Sequence, residues 1–102
     1  MAVTESANAV IRAITMKAGV AAADVLLSDA CSIDWQSLTF AGARHNITLT
    51  MPATAAERLS GIKGAEFILP GHVLADIAIR STEPRPDGRT TMHIEALTIE
   101  DN

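Results

Sequence analysis

The feature that most constrains the fold is the run His45–Met51, His-Asn-Ile-Thr-Leu-Thr-Met. Ile47, Leu49 and Met51 alternate with Asn46, Thr48 and Thr50. An apolar residue at every second position places one edge of the chain in a core and leaves the other to hydrogen-bond, the pattern of a half-buried β-strand. The run His93–Ile99, His-Ile-Glu-Ala-Leu-Thr-Ile, echoes it, with a histidine four residues before a Leu-Thr pair in both. The chain therefore reads as two copies of one helix–strand–strand unit, residues 1–51 and 52–102, within a single domain.

Punctuation around these strands sets the remaining elements. Val3, Ala7, Val10, Ile11, Ile14 and Ala18 recur at spacings of three and four, which predicts a helix over Val3–Ala18 stopped by Gly19. Val20–Ala30 carries mixed signals and reads as a turn leading into irregular structure. Ser32–Phe40 reads as a strand whose two apolar pairs, Ile33 with Trp35 and Leu38 with Phe40, are out of phase. A bulge near Gln36 or Ser37 would bring both pairs inward, with Gly42 making the tight connection to the next strand. After Pro52, Thr54 and Glu57 have the spacing of a capping box, predicting a short helix over Ala55–Lys63 ended by Gly64. His72–Arg80 and Thr90–Ile99 read as further strands, with Ser81–Arg89 a polar loop. The expected fold is α+β in αββαββ order: a four-stranded, mainly antiparallel sheet with two helices on one face.

Composition narrows the functional classes. A hydrophobic content of 48% excludes a disordered chain. The only aromatics are Trp35, Phe40 and Phe67, so the core must be aliphatic and rich in alanine. A net charge of −4 argues against phosphate-backbone binding. One cysteine, Cys31, cannot form an intrachain disulfide and suits a reducing compartment. No signal-peptide pattern and no apolar run of the ~18 residues needed to cross a bilayer is present, which predicts a cytoplasmic protein with no membrane partner.

Three constellations could carry chemistry. His45 and His93 hold corresponding strand positions, and Asp34 and Asp76 lie in the strand before each. Two imidazoles and two carboxylates brought together would suit a divalent metal. Gly61-Ile62-Lys63-Gly64 has the G-x-x-G spacing of a loop that clamps nucleic-acid backbone, with Gly61, Lys63 and Gly64 the residues concerned, although a helix C-cap explains the second glycine more simply. Ser81–Arg89 is a charged loop whose ordinary role is solvated surface. No Gly-x-Ser-x-Gly elbow and no phosphate-cradling glycine loop occurs.

The strongest signal is a surface. Two helices cover one face of a sheet, yet the last strand is apolar in both phases: Met92, Ile94 and Ala96 in one, Leu97 and Ile99 in the other. Strands of that kind are buried on both sides. Trp35, Met92 and Ile94 are accordingly the candidate self-association surface. The reading is a small self-associating binding or assembly module, a homodimer or an adaptor for another protein, with no recognisable catalytic apparatus and no cofactor. The alternative is a small-molecule- or metal-binding protein, extending to an enzyme, built on His45, His93, Asp34 and Asp76; the third is nucleic-acid binding through Gly61–Gly64.

Overall fold

The structure is a computed structural model, and residues 3–62, 67 and 69–100 are described below. The order of elements is α1 (Glu5–Ala18), a single 3₁₀ turn (Ala22–Asp24), β1 (Leu26–Gln36), β2 (Ala41–Pro52), α2 (Ala53–Glu57), β3 (His72–Pro84) and β4 (Arg89–Glu100). The four strands form one antiparallel sheet in the order β1-β2-β4-β3, so the two hairpins meet along β2 and β4. The molecule is elongated, 47 × 26 × 22 Å.

Helix α1 begins where Thr4 accepts a hydrogen bond from the Ala7 amide and ends where Gly19 turns left-handed at φ 65°. It buries Ala7, Val10, Ile14 and Ala18, the stripe expected from its spacing. Val10, Ile14 and Ala18 pack with Ile47, Leu49 and Met51 of β2, and with Met92, Ile94 and Ala96 of β4. Leu59, just beyond α2, is fully buried in the same cluster. Both helices thus cover one face of the sheet.

Several local expectations are corrected. Val20–Ala30 is not irregular throughout, because β1 already starts at Leu26. Its register shift lies between Leu27 and Asp29, not near Gln36. Leu38 and Phe40 do not turn inward: Ser37 to Phe40 is the hairpin turn, closed by the Ser37 amide on the Phe40 carbonyl at 2.8 Å, and both side chains stand in solvent. Gly42 is consequently a β2 residue and not the connection. Helix α2 is Ala53–Glu57, shorter and earlier than expected, with Pro52 at its N-cap and no side-chain cap; Thr54 lies inside it. Lys63 and Gly64 fall outside the described residues.

Strand β3 explains why Leu74 alternates poorly with Ile77 and Ile79. Register shifts between Leu74 and Asp76, and between Ile79 and Ser81, insert one extra residue each. The first restores the phase, so Leu74 and Ile77 are both buried. The expected polar loop is mostly strand: pairing runs out to Pro84 opposite Thr90, leaving a tight turn in which Gly88 donates to the Arg85 carbonyl at 3.2 Å.

Candidate functional site

The uncovered face of the sheet can be mapped from strand register. One row across it reads Ile33 (β1), Arg44 (β2), Leu97 (β4) and Asp76 (β3). The row nearer the β1–β2 turn reads Trp35, Gly42, Ile99 and Val73. No helix lies over these rows, and Ile33 and Val73 are 60% and 50% exposed. Ile33, Trp35, Arg44 and Leu97 line a shallow, mostly apolar cavity of about 490 Å³. Leu38 and Phe40 project from the adjoining turn, so one end of the molecule gathers most of its exposed large apolar side chains among the described residues.

Trp35 is held in place by what β2 lacks. A Cβ at Gly42 would lie 3.0 Å from two atoms of the indole, so the ring rests against the bare glycine backbone. Its Nε1 is buried without a hydrogen-bond partner. A buried, unpaired indole N–H is uncommon, and tryptophans at interfaces usually find a partner for it.

The other half of the same face is polar and internally paired. Arg80 bonds Glu95 at 3.0 Å, His93 Nδ1 lies 3.1 Å from Thr48 Oγ1, and His93 Nε2 lies 3.6 Å from Glu83. The face therefore divides into an apolar half and a hydrated half.

His45 lies on the opposite side, under α1, with no exposed surface. Its Nδ1 is 2.7 Å from Ser32 Oγ and its Nε2 is 3.0 Å from Thr98 Oγ1. Thr98 donates to the Ala43 carbonyl at 3.4 Å, so it accepts from Nε2–H, which leaves Nδ1 to accept from Ser32. Ser32 in turn lies 3.2 Å from Thr4 Oγ1, the cap of α1. Neutral imidazole satisfies every member of this chain. Burial pushes the His45 pKa down, His72 pushes it further the same way, and Asp34 opposes them. A ring so enclosed has no route to a substrate; it ties the first helical turn to three strands.

The four candidate metal ligands do not converge. Every β2–β4 partner pair joins an odd-numbered residue to an even-numbered one, so His45 and His93 lie on opposite faces. By the same register Asp34 shares a face with His45, whereas Asp76 shares the face of His93. A twofold normal to the sheet would preserve faces, so the repeated His-x-x-x-Leu-Thr pattern is not a structural equivalence. Among the described residues no group of three or more His, Cys, Asp or Glu side chains could hold a metal ion. Met92 and Ile94 point to the helices and are 1% and 3% exposed, so neither is available to a partner; of the three expected surface residues only Trp35 lies on the open face. Leu97 and Ile99, the other phase of β4, take their place. Gly61 is exposed at φ 75°, but Lys63 and Gly64 lie outside the described residues. Sequence reasoning missed Ser32 and Thr98 as partners of His45, and Arg44 and Val73 as surface residues. Alternation along β2 could have found Arg44; the Val73 position depends on the β3 bulge after Leu74, which the sequence signals only as broken alternation between Leu74 and Ile77 and does not place.

No helix among the described residues is long and apolar enough to cross a membrane. No protein-family model and no characterised protein matches the chain by sequence. By structure it is similar to a chain of the virion of a native gene transfer agent (GTA) particle, with a TM-score of 0.64 over 92% of this chain and 97% of that one, at 17% identity. At that identity the likeness is one of fold: both chains share this α+β architecture over nearly their whole lengths.

Proposed function

We propose that this protein is an assembly module that self-associates by burying the apolar half of its open sheet face. The observation that carries this reading is the pair of rows Ile33–Arg44–Leu97–Asp76 and Trp35–Gly42–Ile99–Val73, apolar at most positions and covered by no helix. Burying four or five partly exposed aliphatic and aromatic side chains on each copy contributes about 1 kcal/mol or more apiece, a driving force that the cost of association reduces to a weak, concentration-dependent contact. The fold it shares with a chain of a gene transfer agent virion particle supports the same reading, since a particle is an assembly of chains.

Leu97→Lys tests it. The position is on the open face at the centre of the apolar half, so the charge leaves the helix-covered core intact. Light scattering should register a fall in solution mass to that of one chain, with unchanged circular dichroism. A variant as massive as the parent protein would remove the open face from the account.

A further inference from the structure

Taking self-association through the open face as given, we infer that the partner is a second copy related by a twofold axis running along β4, with Arg44 of each copy paired to Asp76 of the other. Arg44 and Asp76 stand in the same row, one strand to either side of Leu97, separated by roughly 10 Å at the strand spacing of a sheet. Neither has an ion-pair or hydrogen-bond partner among the described residues. They are a positive and a negative charge bracketing an apolar strip.

Face-to-face sheets with aligned strands allow few twofold placements, and charge decides among them. An axis across the strands, through this row, sets Arg44 over Arg44 and Asp76 over Asp76. An axis between β2 and β4 sets Arg44 over Leu97 and Asp76 over Ile33, desolvating both charges against apolar side chains, which is costly. An axis along β4 exchanges β2 with β3. Arg44 then lies over the partner's Asp76 twice, and Leu97 and Ile99 meet their own counterparts on the axis. Facing sheets sit ~10 Å apart, a gap that an extended arginine and a carboxylate span between them.

The same axis accounts for Gly42 and Trp35. It sets Gly42 over the partner's Val73, and the indole leaning on Gly42 then fills the space above that valine. The axis leaves β1, with Ile33, beyond the edge of the partner's sheet, and it sets Glu95 near its own counterpart. That carboxylate lies at the polar margin and is already paired with Arg80 at 3.0 Å.

Charge exchange tests the register. Arg44→Asp and Asp76→Arg, each alone, set like charges across the axis and should weaken the dimer about tenfold or more in sedimentation equilibrium. The double variant Arg44→Asp/Asp76→Arg should recover most of the parent affinity, because the pair is restored with its signs reversed. Single variants that dimerise like the parent protein, or a double variant no tighter than the singles, would overturn this register while leaving an open-face dimer standing. A parent protein that is itself a single chain at high concentration would overturn both.

Discussion

His45 is where the residue scale has the clearest consequence. The imidazole is held neutral by burial, between a serine that donates to it and a threonine that accepts from it. Its folded-state pKa lies below the 6.5 of the unfolded chain, so the unfolded state takes up a proton first as pH falls. The stabilising effect is therefore complete above about 6.5 and is lost as pH drops toward the folded value. Urea midpoints at fixed protein concentration should be flat at neutral pH and decline on acidification. His45→Gln should start from a lower midpoint and lose that histidine's share of the slope; an unchanged slope would mean that His45 is not the titrating group. The sequence marks this histidine only by where it stands, at an inward position of an alternating strand. Its function as a buried polar joint depends on Ser32 and Thr98, brought to it from other strands.

At the scale of elements, β2 was legible because it is regular: all its inward residues from Ala43 to Met51 are buried, as period two requires. α1 was legible for the corresponding reason at its own period. β3 was not, since its two bulges break the alternation and the information for a bulge lies in the opposing strand. Parity misled the site reading in the same way. Met92 and Ile94 are one phase of β4 and Leu97 and Ile99 the other, and only the pairing with β2 decides which phase meets the helices. Gly42 shows three strands meeting at one point. A Cβ there would sit 2.0 Å from the Thr98 carbonyl oxygen of β4 and 3.0 Å from the Trp35 ring of β1. Gly42→Ala must part β2 from β4 and lift the indole, at a cost of about 2 kcal/mol or more. Denaturant unfolding should give that loss, and a stability within about 0.5 kcal/mol of the parent would show that the strands yield there.

On the scale of the whole molecule, a sheet with helices on one side leaves the other side open, and the proposal is that a second copy covers its apolar half. The polar half of that side satisfies itself through Arg80 with Glu95 and His93 with Thr48. The apolar half does not. Trp35 is the only tryptophan in the chain and lies within that half, so its emission reports directly on whether the face is covered. The decisive measurement is solution mass and Trp35 emission followed together along one dilution series. The account predicts a mass of at least two chains at high concentration, falling on dilution in step with a red shift as the indole meets water. A mass of one chain throughout, with emission that never moves, would contradict it.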